Sequence, residues 1–251
     1  MKVAVAGGTG NIGSLTVERL EREGHEPVPI SRSHGIDLVS GDGLADALAG
    51  VDAVIDATNS PATEREKTVE FFGATTRNLL AAEEQADVGH HVVLSIVGID
   101  RVESNPHYAG KREQERLVEE GNVPWTIVRA TQFHDFAAMV TGWTESDSVA
   151  TVAPLLVQPI APADVAEILV RTATGEPQRR RIEAAGPETQ DLVDMARRTY
   201  EARGREIKLV PTWSGIFSAE MAGEVLLPGE DAWIGQTTFD EWLAGERGSA
   251  V

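Results

Sequence analysis

Cysteine is absent from the 251 residues, which removes disulfides, thiolate metal sites and a cysteine nucleophile together. Positive charge is scarce. Twenty-two Lys and Arg stand against forty Asp and Glu, a formal net charge of -18. Such a surface repels a phosphate backbone, so nucleic acid is not an expected partner. The acidity serves solubility or a salty cytoplasm, and the sequence leaves both open. The one basic cluster, Arg179-Arg180-Arg181, reads as a solvated face or a strand edge. Long apolar runs are missing too, and the first, Val3–Ala6, is too short for a secretory signal or a bilayer span. The expectation is a soluble cytoplasmic protein with no membrane partner. No internal repeat, low-complexity tract or long linker interrupts the chain, whose length suits one domain, or one domain plus a small lobe.

What is present begins at once. Val3–Ala6 has the apolar character of a strand buried on both faces, and it ends in Gly7-Gly8-Thr9-Gly10-Asn11-Ile12-Gly13. Helical spacing follows in Ile12, Leu15, Thr16, Arg19 and Leu20 and closes at Gly24. Strand, glycine loop and helix form the setting of a dinucleotide fingerprint. Gly7 permits the tight turn, Gly10 lets backbone approach a pyrophosphate, and Gly13 lets helix pack on strand; the helix start offers free N–H groups and a positive dipole end. After the second strand, Pro27–Ile30, an NAD site would carry an acidic residue for the ribose hydroxyl. This chain has Ser31-Arg32-Ser33, a guanidinium flanked by hydroxyls that suits a 2′-phosphate. NADP(H) is therefore the expected cofactor, ahead of NAD(H).

The spacing G-x-x-G-x-x-G resembles the extended and atypical short-chain dehydrogenase/reductase superfamily, and GGTGNIG resembles its NmrA-like branch. The resemblance implies that Gly7, Thr9, Gly10, Asn11 and Ile12 line the dinucleotide and that Asp37 and Leu38 hold the adenine. Val51–Asn59 reads as the fourth strand, with Ala57, Thr58 and Asn59 at the carboxyl end of the sheet, where open α/β sheets bind ligands. A helix over about 62–82 and a fifth strand over His91–Gly98 continue the alternation. The fold expected is a Rossmann-type doubly wound parallel sheet with a small C-terminal lobe of discontinuous segments. The dinucleotide-binding domain is placed at 1–135 and the lobe at 136–251, with about 155–187 returning to the first domain.

Active members of the superfamily use a Ser at the end of the fifth strand and a Tyr-x-x-x-Lys on the next helix. Lys lowers the phenol pKa and holds the nicotinamide ribose, while Tyr passes the proton. Ser95 and Lys111 stand in the corresponding places, but His107 lies four residues before Lys111 and Tyr108 only three. On a helix both can face roughly the side of Lys111. Three readings stay open: His107 is the acid; Tyr108 reaches the site because Pro106 alters the helix start; or neither acts.

The resemblance extends to a sixth strand from Val123, whose end, Ala130-Thr131-Gln132-Phe133, would line the nicotinamide pocket. His134 reads as a substrate contact or a structural histidine. Asp164 is expected near a helix start. Met139, Trp143, Trp213, Phe217, Met221 and Trp233 form either an apolar lid for a hydrophobic substrate or the lobe's own core. No metal is expected, because His90 and His91 point to opposite faces of a strand. Two functions follow. One is an NADP(H)-dependent oxidoreductase moving hydride to a small carbonyl, quinone or activated alkene, as a monomer or homodimer. The other is a non-catalytic, NmrA-like dinucleotide sensor that controls a protein partner.

Overall fold

The computed structural model describes residues 1–248, so the last three residues of the expected lobe lie outside the described residues. Seven parallel strands form the main sheet. In chain order they are β1 (Lys2–Ala6), β2 (Glu26–Ile30), β3 (Ala53–Asp56), β4 (His90–Ile96), β5 (Trp125–Ala130), β8 (Arg181–Ala185) and β11 (Trp233–Ile234). Their spatial order is β11-β8-β5-β4-β3-β1-β2. Helices α1 (Asn11–Arg22) and α6 (Pro162–Ala173) pack together on one face; α3 (Arg65–Gln85) and α4 (Pro106–Glu120), with short α2 (Leu44–Ala47), cover the other. Buried on both faces, the middle strands are almost continuously apolar, as parallel sheets require.

The numbering of the strands corrects the sequence reading. Val51–Asn59 carries the third strand along the chain, because none forms between Ile30 and Ala53. The cause lies in β2, where Glu26 N donates to Met1 O at 2.9 Å on the β1 side. By alternation the nitrogens of Pro27 and Pro29 face the other way, where a further strand would need N–H donors that proline lacks. Residues 31–43 fold instead into turns.

The lobe contains α5 (Phe136–Thr144), α7 (Leu192–Ala202) and α8 (Phe239–Gly248) with two small sheets. β6 (Val149–Val152) pairs in parallel with β10 (Lys208–Pro211), and β7 (Leu156–Val157) pairs antiparallel with β9 (Gln190–Asp191). Within 155–187, α6 and β8 belong to the main sheet layers, whereas β7 joins a lobe sheet. Trp233 also departs from the lid expectation, sitting in the edge strand β11. The lobe core runs without a break into the α4 start: Ile99, Val102 and Tyr108 pack with Val140, Leu155, Met195 and Phe217. Asp164 lies in the first turn of α6, near the helix start as expected; the N-cap is Ala161, and the Asp164 carboxylate accepts from Thr237 N (2.9 Å) and Thr237 Oγ1 (3.0 Å), tying α6 to the approach to α8.

Candidate functional site

The carboxyl ends of β1, β3, β4 and β5 and the start of α1 meet along one edge of the sheet. The β1–α1 loop turns at Gly7, in the left-handed region (φ 75°), where a Cβ would stand 2.8 Å from Ala57 O. Gly10 N donates to Gly7 O (2.8 Å) and closes the turn. Gly10 is also the N-cap of α1, so no side-chain acceptor covers the helix start, and its first-turn N–H groups and dipole end face outward. Thr9 and Asn11 are exposed there, while the Ile12 side chain is buried in the main core. Asn11 Nδ2 donates to Asp135 Oδ2 (3.0 Å), joining the loop to the start of α5.

At the end of β2, Arg32 is exposed beside a small polar knot. Ser31 Oγ lies 2.8 Å from Ser33 Oγ and 2.7 Å from His34 Nδ1. Asp37 accepts from Val39 N (2.8 Å), and Asn78 Nδ2 clamps the backbone by donating to Leu38 O (3.0 Å) and Val39 O (2.8 Å). At the tip of β3, Ala57 N donates to Ala6 O, Thr58 is buried and Asn59 is exposed.

The centre of the arrangement is α4. Its start is ordinary: Pro106 occupies the first turn, and the Asn105 side chain accepts from Tyr108 N (3.1 Å). Pro106 therefore does not displace the helix, and the two proton-donor candidates point apart. His107 meets Phe72 of α3 edge-on (ring centroids 5.5 Å apart), and the Lys111 ammonium lies over the same ring at 4.8 Å. Burial, with the Lys111 charge adding to it, lowers the His107 pKa to about 4, so the imidazole is neutral at pH 7. Tyr108 turns instead into the lobe-side core. Burial raises its pKa to about 12, opposed by a side-chain hydrogen bond with Gln132 in the loop after β5.

Lys111 is 4 % exposed. Its Nζ donates to Leu94 O and to Gln114 Oε1, both at 2.6 Å. Desolvation lowers its pKa to about 8, and the Asp56 and Glu115 carboxylates oppose that fall. Ser95, next to Leu94, is 2 % exposed, and its hydroxyl has no partner within the protein. Beyond β5, Ala130 is buried, Thr131 Oγ1 donates to Gln158 O (2.6 Å), Gln132 is buried, and Phe133 bridges to Ile160 against the main core.

Other candidates are held away from this edge. His134 is buried between Phe239 and Trp242, with Nε2 3.1 Å from Pro159 O, which makes it a packing residue. Phe217 and Met221 are buried in the lobe core and Trp213 packs on it, whereas Met139 and Trp143 (59 % exposed) lie on the surface. His90 and His91 have separate partners, Thr126 and Glu83, on opposite faces of β4. Among the described residues no three His, Asp or Glu side chains gather as a metal site, and no helix is long and apolar enough to cross a membrane. Sequence reasoning missed Gln114 and Asp56. Their signals were available: Gln114 is one helical turn beyond Lys111, and Asp56 is a carboxylate ending an otherwise apolar strand.

Comparison with known proteins agrees with this fold. A family model described as NAD(P)H-binding matches residues 7–176. The chain is 29% identical over 227 residues to a (4-alkanoyl-5-oxo-2,5-dihydrofuran-3-yl)methyl phosphate reductase of Streptomyces griseus, covering 82% of this chain and 75% of that one. Its fold is similar to that of a short-chain dehydrogenase/reductase superfamily protein from Agrobacterium tumefaciens with bound NAD (TM-score 0.71, 19% identity, 99% and 97% of the two chains). It is also similar to an NADPH-dependent quinone oxidoreductase of Escherichia coli complexed with NADPH (TM-score 0.68, 16% identity, 84% and 78%). The chain belongs to the NAD(P)H-binding family whose model it matches, and its fold is that of a short-chain dehydrogenase/reductase protein.

Proposed function

We propose that the chain is an NADP(H)-dependent reductase that delivers hydride to a small apolar carbonyl, quinone or activated alkene. One observation carries this reading. On consecutive turns of α4, the Lys111 ammonium and the Tyr108 phenol are buried beside the strand ends that the fold uses for ligands, with the phenol directed at Gln132.

The glycine turn and the uncapped start of α1 fit a pyrophosphate, so Gly7, Thr9, Gly10, Asn11 and Ile12 take that part of the cofactor. Ser31, Arg32 and Ser33 take the 2′-phosphate, and Asp37 and Leu38 the adenine. Ala57, Thr58, Asn59 and the loop Ala130–Phe133 flank the nicotinamide ribose and ring. The bound dinucleotide supplies the hydride. Tyr108, neutral at pH 7 because burial holds its proton, gives that proton to the substrate oxygen and recovers one from solvent. Lys111 holds the nicotinamide ribose, Ser95 offers its free hydroxyl to the substrate oxygen, and His107 takes no part in proton transfer. The sensor reading draws on one fact, that Lys111 is already satisfied by internal acceptors.

The experiment is NADPH oxidation, followed by loss of nicotinamide absorbance, against a panel of quinones, enones and ketones. Tyr108→Phe should lower turnover by about 10²–10⁴-fold, and His107→Phe should leave it nearly intact. Tight NADPH binding with no turnover on any substrate refutes the reductase and favours the sensor. An Arg32→Ala variant that keeps its preference for NADPH over NADH refutes the role given to Arg32.

A further inference from the structure

Behind Lys111 a polar chain runs into the interior. Gln114 Oε1 accepts from Lys111 Nζ (2.6 Å), and Gln114 Nε2 donates to Asp56 Oδ2 (2.9 Å) and, more weakly, towards Thr58 Oγ1 (3.4 Å). The other Asp56 oxygen accepts from Thr58 N (2.9 Å). Gln114 and Asp56 are both fully buried. A glutamine amide has one acceptor end and one donor end. The carboxylate takes the donor end, so the oxygen is left facing the ammonium. Asp56 and Thr58 in turn belong to the tip of β3, which forms part of the cofactor edge.

We propose that Gln114 is a positioning residue for Lys111: its amide, oriented by Asp56, fixes where the ammonium sits and links it to the tip of β3. The inference rests on the reading of Lys111 as a residue of the reductase site. A packing glutamine would need neither the carboxylate at one end nor the ammonium at the other. The charged surroundings are otherwise few. Glu115 on α4 is engaged by Arg129 of β5 (2.6 and 2.9 Å), and His107 shares the Lys111 face. His91 of β4 is paired with Glu83 of α3 (2.8 Å) and also feels Asp56. Phe72 supplies only its ring. Lys111 thus has two direct oxygen acceptors, and Gln114 is the one a mutation can remove.

The scarcity of lysine makes a direct test practical. Carbon-13 labelling at the lysine ε position gives signals from only Lys2, Lys67, Lys111 and Lys208, and Lys111→Met assigns the one that matters. In the wild-type chain the Lys111 signal should titrate near pH 8. Gln114→Met keeps the volume without the acceptor and should lower the midpoint by about one pH unit. Gln114→Glu keeps an acceptor and adds charge, and should raise it above wild type. Asp56→Asn should lower it. A midpoint that stays at the wild-type value in both Gln114 variants overturns the proposal. Should Gln114→Met fail to fold, the opposite shifts expected of Gln114→Glu and Asp56→Asn decide the matter, and an unmoved midpoint in that pair overturns it equally. The titration is read without dinucleotide, so it judges Gln114 whether or not the chain turns over NADPH.

Discussion

Replacing Gly13 with alanine should cripple the protein at a position that touches no substrate. A Cβ there would stand 2.0 Å from the Gly7 carbonyl oxygen, 2.7 Å from its carbon and 2.9 Å from Gly8 Cα. Carbon and oxygen settle no closer than about 3.3 Å, so helix and loop would have to part by about 1.3 Å. All three neighbours are backbone, and Gly7 O is committed to Gly10 N, so no side-chain rotation relieves the clash. Overpacking of this kind costs about 1–3 kcal/mol, and the strained turn bond about 1 more. In a chain of this length each kcal/mol moves Tm by about 2–4 °C, which gives a fall of about 4–16 °C. Gly142→Ala is the internal control. It lies in α5 with nothing within 4 Å of the added Cβ, and should gain about 0.5–1 kcal/mol from helix propensity alone. Scanning calorimetry gives both melting points, and titration with NADPH gives both affinities. A Gly13→Ala protein that melts within about 1 °C of wild type and binds NADPH unchanged would refute the reasoning.

Lys111 should leave a signature in the pH dependence of stability. Its pKa falls from 10.5 to about 8 on folding, so between those values the unfolded chain binds the extra proton and stability rises with pH. Urea melts across that window should show wild type gaining up to about 3 kcal/mol relative to Lys111→Met; parallel curves would contradict the burial of the charge. Acid should act through His90, His107 and His134, each lowered to about 4, mainly by burial. Their contribution is complete above pH 6.5 and is lost as pH falls towards 4, at roughly 1–3 kcal/mol each, so His134→Phe should flatten part of that slope in the same melts. The charge of -18 should make the fold more stable in salt, with Tm rising between about 0.05 and about 1 M KCl; a flat or falling Tm would mean that self-repulsion is minor.

The parts of the fold that depend on local chemistry could be read from the chain. Val3–Ala6, the three glycines and the stop at Gly24 gave β1 and α1 because apolar period, turn conformation and helix capping act within a few residues. Expectation failed where a distant partner decides. Trp233 reads from sequence as part of the lobe, in a lid or in its core, but two residues of strand pair it with Ala184 at the sheet edge. Asp164 does lie in the first turn of its helix, but its tie to Thr237, seventy-three residues away, is not legible there. His107 and Tyr108 differ by one position along α4, and which faces Phe72 and which faces Gln132 depends on how α3 and the β5 loop pack around that helix. Gln114 escaped notice because a glutamine on a helix reads as solvent-facing until the carboxylate of Asp56 is seen behind it.

The two prolines of β2 have an effect on assembly as well as on topology. An open sheet edge ordinarily templates a strand from another molecule, and crowded, half-folded chains aggregate by that route. Here the outer side of β2 offers no donor at Pro27 or Pro29, and the opposite edge is the two-residue β11. The sheet therefore resists growth at both ends, at any stage after the strands align. A homodimer of this chain would have to be built from helix and loop surfaces rather than by extending the sheet.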